Sequence, residues 1–92
     1  MFDTRLEVEI RDVTKPGKIE AFADVRFLLS DGELLIRGFA VIRQEGKSPW
    51  VGFPEIPGRN KFFPIIEAKG RIERAITKAV LDAFRESNKE GS

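Results

Sequence analysis

Apolar and charged residues alternate along the first half of the chain, as they do in strands that bury one face. Near the N-terminus, Leu6, Val8 and Ile10 point to one side, and charged side chains lie between them. The alternation recurs in two further segments separated by an Asp-Gly pair, which is typical of a hairpin turn. The pattern predicts antiparallel strands near residues 4–12, 19–30, 33–44 and 48–53.

Glycine and proline interrupt this pattern at positions that shape the sheet. A Pro-Gly pair predicts a turn within residues 14–18, and Pro54 ends the fourth strand or places it at an edge. Gly38, inside the third strand, indicates a bulge or the close approach of another backbone. Strict alternation along the third strand places Phe39 on the same face as Leu35.

The spacing of apolar residues lengthens from two to about 3.6 after position 68, which predicts a helix near residues 68–87. Gly70 then falls in the first turn, where it costs about 1 kcal/mol relative to alanine. Residues 61–66, before the helix, are expected to form an extended fifth strand that Pro64 breaks. The predicted apolar stripe of the helix comprises Ile72, Ala75, Ile76, Ala79, Val80 and Ala83.

These elements predict an α+β fold, an antiparallel β-sheet of four to five strands followed by one C-terminal α-helix. We expect a single domain over residues 1–92, with an ordered core of about 4–87. One helix covers little of such a sheet, so that Phe22 and Leu28 of the second strand stay partly exposed. Exposed apolar faces and unpaired strand edges predict a homodimer.

The composition removes several kinds of chemistry. The chain has no cysteine and no histidine, which excludes disulfides, thiolate nucleophiles, histidine metal sites and histidine-based triads. The carboxylates are scattered among basic residues, so we expect no enzyme, no catalytic or metal-ligating residues, no cofactor and no small-molecule substrate. The absence of cysteine, of a membrane-length apolar run and of a signal peptide predicts a cytoplasmic protein with no membrane partner.

The net charge of +1 conceals an uneven distribution. It is −3 over residues 1–33, +3 over residues 34–66 and +1 over residues 67–92. The positive excess in the middle of the chain favours a polyanionic partner. Ordinary solubility is the simpler explanation when charge is considered alone.

The middle of the chain also contains the segment FPEIPGRNKFFPII, residues 53–66, with three of the five prolines. Proline restricts the backbone, so this segment loses less entropy on ordering. Gly58 permits a turn that presents Arg59, Asn60 and Lys61, which can contact phosphates and base edges. A polar surface turn is the alternative explanation. The ends of the segment are expected to be anchored in the core by Trp50, Phe53, Phe62 and Phe63.

The predicted helix adds a second basic element. A stripe within about 60°, facing away from the apolar stripe, comprises Arg71, Arg74, Lys78 and Arg85. A solvated helix face with ion pairs, such as Lys78–Asp82, explains the stripe from the helix alone. The short connection from the proline-rich segment favours binding, because it brings the two basic elements close together.

Trp50 has two interpretations. Its indole could stack on an unpaired base. A lone aromatic residue in an apolar strand is more often part of the core, and the core is what we expect for Trp50.

Taken in order, these features resemble the stage V sporulation protein G (SpoVG) family of bacterial septation and gene regulators. The resemblance spans residues 4–86. It rests on the order and spacing of LEVEIRDV, KIEAFADVRF, ELLIRGFAVI, PWVGFP and GRIERAITKAVLDAF. VGFP, the pair Pro64-Ile65 and KGRIERAI carry it best.

The resemblance implies a small α+β dimer whose strands meet across the subunits. It also implies DNA and RNA binding without enzymatic activity, in control of gene expression, septation or sporulation. Arg71 matches the basic position that follows the glycine at the helix start. With the residues of the loop and the helix stripe, the predicted nucleic-acid site comprises Arg59, Asn60, Lys61, Arg71, Arg74 and Lys78.

The chain departs from the family at the loop. The family commonly has a longer basic loop, where this chain continues with Glu55 and Ile56, and often a histidine where this chain has Phe63. A protein-interaction adaptor of the same fold, with a reduced basic loop, is therefore the alternative function. A salt titration separates the two, because nucleic-acid binding weakens steeply with salt and apolar binding does not.

Overall fold

The strands and the helix form two layers, with one helix packed on one face of a four-stranded sheet. A computed structural model describes residues 5–12 and 18–90 and confirms the predicted α+β fold. The elements are β1 (Arg5–Asp12), β2 (Ile19–Leu29), β3 (Gly32–Ile42), β4 (Trp50–Gly52), β5 (Glu55–Pro57), β6 (Phe62–Pro64) and α1 (Arg71–Glu90). No helix in these ranges is long and apolar enough to cross a membrane.

The main sheet has the order β1-β2-β3-β4, and each neighbouring pair is antiparallel. β1 pairs with β2 without a register shift, so that Val8 lies opposite Val25. A turn at Ser30 and Asp31 joins β2 to β3, and Gly32 follows with a φ of +144°. This confirms the turn predicted from the Asp-Gly pair, whereas the predicted Pro-Gly turn lies outside the described residues.

A bulge at Gly38 changes which side chains of β3 face the helix. Between the pairs that β2 makes with Ile36 and with Phe39, β3 has one residue more than β2. Gly38 has a φ of +95°, which residues with a Cβ rarely adopt. The bulge is thus confirmed. The assignment of Phe39 to the face of Leu35 is wrong, because the extra residue reverses the alternation and returns Phe39 to the face of Ile36.

The core lies between α1 and the sheet face that it covers, called here the inner face. Phe39 is completely buried and meets Phe53 edge to face, with the ring centroids 5.1 Å apart. Such aromatic pairs add about 0.5–1.5 kcal/mol beyond their buried area. The other buried members of this core are Ala21, Ala23, Val25, Phe27, Val41, Ile76, Val80 and Phe84.

The helix starts three residues later and ends three residues later than predicted. Gly70 precedes the helix instead of lying in its first turn, because its φ of +79° is not helical. Its carbonyl accepts the N–H of Arg74 at 3.3 Å, which begins the helical hydrogen bonding. The predicted penalty for a glycine inside the helix therefore does not apply.

The buried stripe of α1 is centred on other residues than the predicted stripe. Ile76, Val80 and Phe84, each four residues apart, are buried. Phe84 was outside the predicted stripe, but its spacing from Val80 places it on the same helix face. The predicted alanines are half-buried along the edge of this stripe, at positions 75, 79 and 83.

The opposite side of the sheet, called the outer face, has no covering layer among the described residues, and one part of it is charged. Arg11 donates to Asp24 at 2.8 Å, and Arg26 donates to Glu33 at 2.8 Å. The hydrogen bond from Arg26 to the Glu33 carboxylate raises the pKa of Arg26. Arg11, Arg26 and Glu33 are partly solvated, whereas the Asp24 side chain is only 12% exposed. These pairs keep this part of the face polar.

The other part of the outer face is apolar. Phe22 is 36% exposed, as predicted for a residue that one helix cannot cover, and Leu28 is half-buried. Trp50 lies opposite Ile42 and is 40% exposed. Its expected place in the core is wrong, because alternation along β4 directs Val51 to the inner face and Trp50 to the uncovered one.

Candidate nucleic-acid interface

The proline-rich segment folds into a second, two-stranded sheet. β5 pairs with β6, with Ile56 opposite Phe63 and Pro57 opposite Phe62. At the closed end, the N–H of Gly58 donates to the carbonyl of Lys61 at 2.7 Å. We call this hairpin, residues 54–65, the arm, and the four residues 58–61 that connect its strands the tip.

The arm shows why prolines and strands coexist here. A proline cannot donate to a strand ladder, so it is tolerated where its nitrogen faces outward from an edge. Both strands of a two-stranded sheet are edges. The predicted extended segment around Pro64 is thus confirmed as β6, whereas β5, with its single proline Pro57, was not predicted.

The base of the arm is attached to the main sheet. Pro54 is buried, and its Cβ lies 3.9 Å from the place where a Cβ on Gly38 would be. The carbonyl of Pro54 accepts the N–H of Ile65 at 3.1 Å, so the two ends of the arm are joined to each other. Gly38 is therefore explained by the bulge and its positive φ, since a Cβ there would meet Pro54 only at an ordinary van der Waals distance.

Beyond its base, the arm projects from the rest of the protein. β5 and β6 pack mainly on each other, and neither makes an extensive contact with α1 or with the described strands of the main sheet. Phe62 is 62% exposed and Phe63 is 46% exposed. Their expected role as anchors in the core is wrong. Phe53 alone of the four predicted aromatic anchors packs against the core.

The tip has a defined geometry that Phe63 helps to maintain. The ring of Phe63 lies against Gly58, where an added Cβ would collide with it. The ammonium of Lys61 lies over the same ring, 5.1 Å from its centroid, as a cation–π contact. The proline-stiffened turn predicted from the sequence is therefore held by contacts within the arm itself.

All three predicted side chains of the tip are available to a ligand. Arg59, Asn60 and Lys61 are exposed. Among the described residues, neither Arg59 nor Lys61 takes part in an ion pair within 4.0 Å. Two cations close together, with no carboxylate to neutralise them, can contact neighbouring phosphates of a nucleic-acid backbone.

The predicted basic stripe of α1 is exposed. Its residues differ in whether they form ion pairs. Lys78 donates to Asp82 at 2.8 Å, and Arg85 lies 3.5 Å from the same carboxylate. The hydrogen bond from Lys78 lowers the pKa of Asp82. Arg71 and Arg74, at the start of the helix, form no ion pair within the described ranges. The start of the stripe is thus better suited to phosphate contact than its end.

The two basic elements are joined by a short connection. Only residues 65–70 connect the arm to α1, yet the strands of the arm do not pack extensively on the helix. The closeness expected from the short connection is not accompanied by extensive packing of the arm strands on the helix.

The described part of the chain holds no group of three or more histidine, cysteine, aspartate or glutamate residues that could bind a metal ion. Comparison with protein-family models, with curated proteins and with solved structures finds no match for this chain.

Proposed function

We propose that this protein is a small, non-enzymatic, cytoplasmic regulator that binds DNA and RNA as a homodimer, in the manner of the family that its sequence resembles. The geometry of the tip is the observation that best supports this proposal. A proline-stiffened arm projects Arg59 and Lys61 into solvent, with no ion-pair partner among the described residues. The regulated process, gene expression with septation or sporulation, follows from the resemblance alone.

In this proposal, affinity comes mainly from phosphates. The tip cations contact one part of the nucleic-acid backbone, and Arg71, Arg74 and Lys78 contact another. Asn60 can reach a base edge or a backbone group. Two copies of this site on one dimer would raise the overall affinity through avidity, since the second contact becomes intramolecular.

The unmodified protein should bind labelled oligonucleotides with an affinity that falls steeply with salt. Each duplex phosphate contact adds about 0.9 to the slope of log affinity against log salt concentration, so two tip cations per site predict a slope of at least about 1.8 in magnitude. Fluorescence anisotropy from 0.05 to about 0.3 M salt measures it. Absence of binding at the lowest salt would reject the proposal.

We expect a homodimer in solution. The outer face leaves Phe22 and Trp50 exposed, and the arm leaves further apolar side chains exposed. Such surfaces usually mark a contact with another protein. Light scattering at micromolar concentration should give about twice the 10.4 kDa of one chain. The mass of a single chain over the whole concentration range would contradict this expectation.

A protein-interaction adaptor is the second candidate function, and the apolar arm favours it. The exposed apolar side chains along the projecting hairpin are those of Ile56, Phe62, Phe63 and Ile65. A partner with an apolar groove could cover them. Binding to such a partner should change little over the salt range that abolishes phosphate contacts.

A further inference from the structure

The arm has an aromatic side chain that nothing in the described structure covers. Phe62 is 62% exposed, the largest exposed fraction among the large hydrophobic residues that the structure describes. A phenyl ring with this much of its surface in water offers apolar area that a ligand can cover. Phe62 begins β6 directly after Lys61, the last residue of the tip, which places it next in the chain to the proposed phosphate contacts.

The two phenylalanines of β6 differ in their availability. Side chains alternate along a strand, so that Phe62 and Phe63 lie on opposite faces of the arm. The ring of Phe63 is used internally, between Gly58 and the ammonium of Lys61. Phe62 has no aromatic or cation–π partner among the described residues. Its ring is therefore the one that can accept a flat ligand.

The combination of a free aromatic ring and neighbouring cations fits a particular kind of nucleic acid. In a duplex, the base faces are stacked on one another and are not accessible to a side chain. In a single strand, an unpaired base can stack on the ring of Phe62 while the nucleic-acid backbone crosses the tip. Its phosphates can then contact Arg59 and, on the Phe63 face of the arm, Lys61. Stacking of this kind does not depend on the identity of the base, because every base has a flat face.

We propose that Phe62 is a stacking platform for an unpaired base, so that the ligand class of the tip is single-stranded nucleic acid. This inference rests on the proposed function and adds to it both a residue and a preference for single strands over duplexes. Phosphate contacts supply most of the affinity, and the ring of Phe62 supplies the discrimination against duplex.

The first test compares three labelled oligonucleotides of equal length at one salt concentration: oligo-dT, oligo-U and a DNA duplex. The protein should bind both single strands more tightly than the duplex. Phe62→Leu keeps an apolar side chain but removes the ring, and should weaken binding of the single strands by about tenfold. It should leave the duplex affinity and the salt slope unchanged, because no charge is lost. Phe62→Tyr should bind like the original protein.

A matched control is available on the sheet. Phe22→Leu makes the same chemical change at an exposed phenylalanine of the outer face, far in sequence from the tip. Because Phe22 lies on the surface that predicts the homodimer, light scattering first checks that this variant keeps the mass of the original protein. At the same mass, it should leave the affinity for single strands unchanged. A tenfold loss in this variant as well would show a non-specific effect of removing surface rings, and would overturn the proposal.

A spectroscopic measurement reports stacking directly. Trp50 is the only tryptophan, so a Trp50→Phe, Phe62→Trp variant has one fluorophore at the platform. Its emission should be quenched when oligo-dT or oligo-U is added, and only weakly by duplex. Quenching by both single strands assigns DNA and RNA as ligands, and quenching by one assigns that one; either result supports the platform.

Three results would count against it. If Phe62→Leu binds single strands as tightly as the original protein, the cations alone account for binding and the inference is overturned. A Phe62→Leu variant that falls to the mass of one chain would make the ring a protein contact, and would overturn it too. If the original protein binds none of the three oligonucleotides at low salt, the proposed function itself fails, and this inference fails with it.

Discussion

Phe39→Ala should lower the free energy of unfolding by about 3–5 kcal/mol, the largest effect that we expect from any single substitution. Phe39 is completely buried between α1 and the sheet, and its ring meets that of Phe53. Its removal leaves a cavity and ends this aromatic contact. Because small domains are stable by only about 5–15 kcal/mol, urea denaturation should show a large shift of the midpoint, and the melting temperature should fall by at least about 12 °C.

The matched control is Phe62→Ala, which makes the same change at a residue that is 62% exposed. It should shift the stability by less than about 0.5 kcal/mol, as exposed substitutions usually do. Both variants are compared at one protein concentration, since the stability of a dimer depends on concentration. Equal losses in the two variants would mean that the arm is buried in the folded protein in solution.

Changing Arg59 and Lys61 together to alanine should weaken binding of duplex DNA by about 60-fold at 0.1 M salt, and binding of single strands by about 25-fold because their salt slope per contact is about 0.7. Each lost duplex phosphate contact reduces the salt slope by about 0.9, and two such losses give the duplex factor if affinities converge near 1 M. The loss should be similar for all sequences, because phosphates carry no sequence information. Anisotropy titrations at several salt concentrations measure both the affinity and the slope.

A charge-matched control separates the tip from general electrostatics. Lys18 and Lys47 are exposed and lie outside the arm, so replacing both with alanine removes the same net charge. This control should reduce affinity only a few-fold. If the two double variants lose affinity equally, the tip is not the binding site and the total charge of the protein determines affinity.

The chemistry of the candidate site was predictable from the sequence, but the way in which the fold positions its side chains was not. Gly58 and the surrounding prolines indicated a stiff turn with Arg59 and Lys61 at its end, and the structure places both in solvent. The sequence did not indicate that Phe62 stays outside the core. Two adjacent phenylalanines next to a proline are compatible with a buried anchor. Only the lack of extensive packing between the strands of the arm and the described strands of the main sheet rules that out.

The sequence by itself determined the types of the main elements and their order. Alternation in β1 and β2 and the longer apolar spacing in α1 reflect which side chains are buried locally, and this periodicity is a property of the chain. The Asp-Gly pair likewise determined the turn between β2 and β3, because it depends on backbone conformation within a few residues.

Only the tertiary structure decided which aromatic residues are buried. Phe39 is in the core because the bulge at Gly38 reverses the alternation of β3, and a bulge is recognised by the register of the neighbouring strand. Trp50 and Phe62 are exposed because no described layer covers the outer face or the arm. Burial depends on what lies opposite a side chain in space, and residues distant in sequence determine that.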